Sequence, residues 1–305
     1  MKLKIFFLLI CAAILLSGCV DKGDGSSSVA GSTHNITLNG TEITTDSSTA
    51  TIEGSIITIT AGGNYTITGK LDDGQIIVNA STDVNLILNN ADITCSTSAP
   101  IYIMAAKNAF ITVPEGTTNN ITDGAKYTYL NAGDTEPDSA IFSKTDLTIK
   151  ETGLLNVKAN FNDAIASRDD LIIENANVTV NAKNHGIKGK DQLTVTNSTI
   201  NVTAGNDGIK ATNKKDPDRG YIMLTDSTIT ITAVDEAISA ITNVTIKGGT
   251  INIDTRNNAI KTLKTIDIQS GTVKIKTLDD AFIGEAVIGT NEADVTVNGT
   301  KYNFK

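Results

Sequence analysis

Six short phrases recur along the C-terminal part of the chain at almost fixed spacing: Asp163-Ala164-Ile165, His185-Gly186-Ile187, Asp207-Gly208-Ile209, Glu236-Ala237-Ile238, Asn258-Ala259-Ile260 and Asp280-Ala281-Phe282. Their apolar anchors lie 22, 22, 29, 22 and 22 residues apart. A period in the twenties belongs to stacked repeats, in which no unit buries its apolar face alone and each neighbour completes the core. The chain must therefore build upward, one repeat upon the next.

The repeat is made of strands. Between Asp170 and Asp191 the apolar positions alternate, as Leu171 with Ile173 and Val178 with Val180, before Ile187 closes the unit. Alternation with period two and a majority of β-branched residues argue for half-buried strands. Asn, Asp, Gly and Thr fill the breaks, where turns need positive φ or an Asx hydrogen bond. The expected fold is all-β: a right-handed parallel β-helix, a solenoid of about 22-residue coils with three short strands per coil, neighbours roughly 4.8 Å apart. Ile165, Ile187, Ile209, Ile238, Ile260 and Phe282 should stack in one internal row. Leu171, Leu193, Val244 and Ile266 should form a second, with Ile173, Val195, Ile246 and Ile268 two residues on.

Fainter copies lie upstream, anchored by Ile141, Ile101 and Ile76. An insertion from about Pro114 to Glu136 separates two of them, and a second, from Asn213 to Gly220, explains the interval of 29. The Asn298-Gly299 pair near the end reads as a hairpin turn that caps the stack.

Lys2 and Lys4 precede an apolar run from Ile5 to Leu16, and Leu16-Ser17-Gly18-Cys19 follows. This is the layout of a secretory leader. The four residues resemble a lipobox, which implies cleavage before Cys19 and a lipid on that cysteine. The expected organisation is a lipoprotein signal over residues 1–18, a lipidated cysteine with a flexible tether over 19–34, and one β domain over 35–305. The run is too short for a comfortable transmembrane helix, so membrane attachment would be through the lipid alone. The expected location is the extracellular face of the cell membrane. Cys95 is then the one cysteine left in the β domain, so no intramolecular disulfide forms there.

The formal net charge of −9 argues against nucleic acid as a partner and suits a cation. With no Trp and 4% aromatic residues, a flat aromatic platform is poorly supplied. The position before each Ala/Gly-Ile step carries Asp163, His185, Asp207, Glu236, Asn258 or Asp280, and the position before that is Asn or Asp, including Asp235 and Asp279. A parallel ladder continues at Asp169, with Asp170 beside it, and at Asp191. Stacking brings such oxygens within a few ångströms, an arrangement suited to Ca²⁺, which takes six to eight oxygen ligands in a flexible shell. The candidate metal ligands are therefore Asp163, Asp169, Asp170, Asp191, Asp207, Asp235, Glu236, Asp279 and Asp280. Asx residues at turns also cap backbone groups with no metal at all. Beside them runs a basic row of Lys188, Lys210 and Lys261, with Arg168 and Lys190 near it. These side chains either neutralise the acidic ladder or hold the carboxylates of an acidic sugar polymer.

The stretch from DAIAS and RDDLIIENANVTV through NHGIKGKDQLTV to NDGIKA resembles the pectate-lyase-like carbohydrate-binding β-helix family. The resemblance spans about Ile36 to Phe282. It implies a parallel β-helix, bound calcium, and binding to plant-type polysaccharides such as cellulose and pectin by secreted or lipid-anchored proteins. The family's calcium ligands carry over onto Asp163, Asp169, Asp191 and Asp207, whereas His185, Glu236 and Asn258 depart from its Asp. The function expected first is non-catalytic, calcium-dependent polysaccharide binding by a monomer. A pectate-type lyase would need a base, for which Arg168 is the candidate. A structural adhesin or envelope protein is the third reading.

Overall fold

The structure is a computed structural model that describes residues 29, 31–129 and 131–304. The leader, the lipobox with Cys19 and most of the tether lie outside the described residues. Those described are built from strands and turns, in sheets of 19 and 11 strands. Among them no helix is long and apolar enough to cross a membrane.

Each repeat visits three positions in turn. Asp163–Ser167 joins the 11-stranded sheet, Asp170–Glu174 one wall of the larger sheet, and Asn177–Ala182 its second wall. Each strand then pairs in parallel with its equivalent one repeat away. The alternation seen in the sequence sets the faces: Leu171, Ile173, Val178 and Val180 point inward and are buried, while the residues between them point out.

The right-handed parallel β-helix expected from the sequence does not describe this chain. The larger sheet contains a closed, all-parallel barrel of 12 strands instead. Two long strands close it. Val84–Cys95 pairs with Ala109–Thr112 of the first wall through its first half and with Thr118–Asp123 of the second wall through its second half. At the other end Asn243–Thr255 does the same with Tyr221–Thr225 and Thr228–Ala233. The physical reason lies at the corner between the walls. In central repeats the chain leaves the ladder there, through left-handed residues such as Asn175 (φ 48°) and Asn197 (φ 48°). At Asn90 (φ 57°) and at Gly248-Gly249 (φ 100° and 80°) it turns the corner inside one continuous strand, so both walls share a ladder. At Gly249 an added Cβ would lie 2.2 Å from the Ser227 carbonyl oxygen, so only glycine fits this corner.

The apolar rows fall in register. Ile141, Ile165, Ile187, Ile209, Ile238, Ile260 and Phe282 are successive partners in the 11-stranded sheet. Leu171, Leu193, Ile222, Val244 and Ile266 are successive partners in the first wall. Ile222 belongs to this row although the 213–220 insertion hides it from the sequence period. All belong to one continuous core, which Phe282 borders. The insertion after Pro114 is shorter than the sequence suggests, because Thr118–Asp123 within it is a strand of the second wall.

Both ends reverse chain direction. Thr33–Gly40 pairs antiparallel with Glu42–Thr45, and Ala50–Glu53 with Ile56–Ile59. At the C-terminal end Ala293–Val297 pairs antiparallel with Thr300–Lys301 across Asn298-Gly299, both with positive φ, as a two-residue hairpin requires. Tyr302 meets Phe282 and Phe304 edge-on at 4.9 and 5.2 Å over the last repeat.

Candidate functional site

The acidic ladder runs where each strand of the 11-stranded sheet begins, and it is knit to itself. Asp163 Oδ1 accepts the His185 backbone N–H at 3.1 Å and the Asn184 side-chain amide at 3.0 Å. His185 Nδ1 accepts the Asp207 N–H at 3.3 Å, and Asp207 Oδ1 accepts the Glu236 N–H at 3.3 Å. Each side chain thus satisfies a backbone donor of the next repeat. Beside it, Asn206 donates to Asn184 and Asn257 to Asp235. Asn258 is buried, and its Oδ1 has no hydrogen-bond partner among the described residues.

The basic row serves this ladder. Lys188 Nζ donates to Asp163 and lies 3.5 Å from Asp138, Lys210 Nζ binds Asp207, and Lys261 Nζ binds Glu236 at 2.6 Å. The Lys188 side chain is only 10% exposed, so it is out of reach of a polymer, whereas Lys190 and Lys261 are 45% and 43% exposed. Lys190 pairs with Asp191 at 3.2 Å. Arg168 Nη2 donates to Asp138 at 3.0 Å. Its Nε lies 2.7 Å from Glu136 without the alignment of a hydrogen bond, so that contact is ionic. The guanidinium covers the Phe142 ring at 5.3 Å.

Burial and charge act in opposition within the ladder. Burial raises the Asp207 carboxyl to about 6, against the stabilising Lys210 amine and helped by its neighbour Glu236. Burial lowers His185 to about 4, against the attraction of Asp163. The unfolded imidazole titrates near 6.5, so stability contributed by neutral His185 is lost as pH falls from about 6.5 towards 4. Asp207 runs the other way: its raised pKa penalises the fold above about 6 and the penalty lifts on acidification. We expect His185→Gln to gain stability relative to the parent as pH falls, by roughly 2 kcal/mol near pH 5. Urea unfolding of both proteins at stepped pH checks this, and parallel pH profiles would refute it.

Two sets of three carboxylates converge among the described residues. Asp207, Asp235 and Glu236 form one, and Asp146, Asp169 and Asp170 the other, with ligand atoms within 4.8 Å of one another in each. In the first set Lys210, Asn257 and Lys261 already hold the three carboxylates. In the second, Asp170 is held by Arg219 at 3.0 Å and by Gln192 at 2.8 Å, but the Asp169 carboxylate receives no hydrogen bond or ion pair from the described residues. Burial raises the Asp169 carboxyl, and Asp146, Asp191 and Asp170 raise it further, against the weaker attraction of Lys190. An oxygen-rich, half-buried set with a carboxylate that no ion pair compensates suits a hard divalent cation. Asp163, Asp191, Asp279 and Asp280 belong to neither set, and Asp279 and Asp280 are exposed. Asp146 escaped the sequence reading, although it occupies the slot of Asp170 one repeat earlier, before Leu147 as Asp170 stands before Leu171.

The model of a family described as carbohydrate-binding domain-containing protein matches residues 53–301, and the chain belongs to that family. A carbohydrate-binding domain-containing protein of Acetivibrio thermocellus is 40% identical over 128 residues, covering 41% of this chain. The match spans 45% of that relative's own length. Among solved structures, the polysaccharide lyase-like protein from C. thermocellum, studied as a gadolinium derivative, superposes with a TM-score of 0.73 at 31% identity. It covers 86% of this chain and 99% of its own.

Proposed function

We propose that the protein binds polysaccharide without cleaving it, and that a calcium ion held by Asp146, Asp169 and Asp170 takes part. The observation that carries this reading is the Asp169 carboxylate, drawn among three other carboxylates, with no ion pair from the described residues and only the weaker pull of Lys190 against them. Calcium there would supply a positive centre able to accept sugar hydroxyl or carboxylate oxygens. Lys190 stands beside this set on Asp191, partly exposed, where a uronate could exchange for Asp191. A lyase reading asks Arg168 to abstract a proton, yet its guanidinium sits between Glu136 and Asp138 and against Phe142. We extend the proposal to a lipid on Cys19, which would hold the domain at the cell surface.

Pull-down on polygalacturonate gel, with calcium and with chelator, tests the proposal. Binding should require calcium, and ultraviolet absorbance should show no unsaturated product. Calcium should also raise stability, by about 2.7 kcal/mol when present at a hundred times its Kd. Asp146→Asn/Asp169→Asn should abolish both effects. Calcium-independent binding would remove the metal from the reading, and unsaturated product would make the protein a lyase.

A further inference from the structure

The N-terminal rim brings together a serine, a histidine and an aspartate. Ser32 stands just before the strand Thr33–Gly40 and His34 within it, two residues apart, so their side chains leave the chain on one face. Ser32 Oγ lies 2.7 Å from His34 Nε2, and His34 Nδ1 lies 3.6 Å from Asp46 Oδ1. One tautomer serves both contacts: Nε2 accepts the serine proton, while the proton on Nδ1 faces the carboxylate. In that order the three groups are a nucleophile, a general base and the group that orients the base.

The surroundings fix the base and its partner. Tyr65, which pairs with His34 in register, is fully buried, and its hydroxyl donates to the Ala61 carbonyl at 2.9 Å and meets Thr49 Oγ1 at 3.2 Å. The imidazole stacks on this anchored ring, with centroids 5.3 Å apart and planes inclined by 30°. Asp46 accepts the Asn35 backbone N–H at 2.8 Å on one oxygen and the Asn35 side-chain amide at 2.9 Å on the other. Those two bonds, joined by the charge of His34, hold its carboxyl below the usual carboxylate range, so it stays ionised.

Glycine keeps space against the hydroxyl. A Cβ added at Gly63 (φ 143°) would lie 3.2 Å from Ser32 Oγ and 2.7 Å from the Ser32 carbonyl oxygen. The N–H of the neighbouring Gly62 donates to no backbone carbonyl among the described residues, so a donor for a developing oxyanion is not already spent. Ser32 is exposed and the Asp46 side chain is 54% exposed, so the site is an open rim that a substrate reaches from solvent. An open rim buries little of a long acyl chain and favours a short one.

We infer that Ser32, with His34 as base and Asp46 as its positioning residue, hydrolyses short-chain acyl esters. Ser32 Oγ bonds to the ester carbonyl carbon as its proton passes to His34 Nε2. The carbon–oxygen bond to the alcohol then breaks, and the leaving oxygen takes that proton. Water attacks the acyl-serine with His34 again as base, which releases the acid and restores the serine. Glycosidic bonds are untouched, so the inference neither rests on the polysaccharide-binding reading nor conflicts with it. The test treats the whole protein with a fluorophosphonate, which loses fluoride to a base-activated serine, and with 4-nitrophenyl acetate. Peptide mass spectrometry should place the phosphonyl adduct on Ser32. Ser32→Ala and His34→Gln should each lose the adduct and at least tenfold in kcat/KM. Asp46→Asn should lower kcat at least tenfold with KM unchanged, because it acts through the imidazole. Ser48→Ala, at another exposed serine of this rim, should match the parent. No adduct on Ser32, or parent-level turnover by Ser32→Ala, overturns the inference.

Discussion

Asp163→Ala is expected to cost about 3–5 kcal/mol of folding stability, the usual penalty for breaking a buried ion pair by removing one partner. Asp163 is fully buried and takes the Lys188 amine on one oxygen and two N–H donors on the other. Its loss leaves a nearly buried ammonium facing Asp138 alone at 3.5 Å, and strands the His185 N–H and the Asn184 amide. The second variant Asp163→Ala/Lys188→Met separates charge from packing: removing the orphaned ammonium should recover a large part of the loss. Denaturant unfolding of the two variants measures this. A single-variant cost under about 1 kcal/mol would mean that the ladder is solvated rather than structural.

The other large effect is expected in the apolar row. Ile209→Ala should destabilise by about 2–5 kcal/mol, from lost burial and the cavity left behind. Ile209 is 1% exposed and stands between Ile187 and Ile238 in the 11-stranded sheet. Its neighbours are held by ladders on both sides, so the site collapses little and the cost should lie in the upper half of that range. Leu278→Ala, at a residue 82% exposed, is the matched control and should change stability little. Equal effects at the two positions would refute the shared core as the seat of stability.

The sequence made the register legible because the repeat interval and the strand alternation state the same fact twice. Ile165 to Phe282 could be placed in one row from spacing alone. Ile222 and Leu224 could not, since the insertion from Asn213 shifts them out of phase. The closing of the barrel was not legible, because it depends on whether Asn90 and Gly248-Gly249 turn the corner inside a strand or between two. That is a matter of hydrogen bonding, and composition at the corner does not decide it. The acidic and basic side chains were all visible as residue types. Their partners were not: Lys188 reaches back one repeat to Asp163, and Asp169 gathers Asp146 from the repeat before.

The reversal of chain direction at both ends also governs how the protein meets copies of itself. A parallel stack is open-ended: its last strand offers the same backbone groups, in the same sense, that each repeat offers the next, and a second molecule would extend it as another repeat. The antiparallel strands Glu42–Thr45, Ala50–Glu53 and Thr300–Lys301 break that sense over part of each rim, while Phe282–Ile283 and Ala286–Gly289 still end their ladders in the parallel sense. The hairpins therefore shorten the surface on which a copy could add as one more repeat.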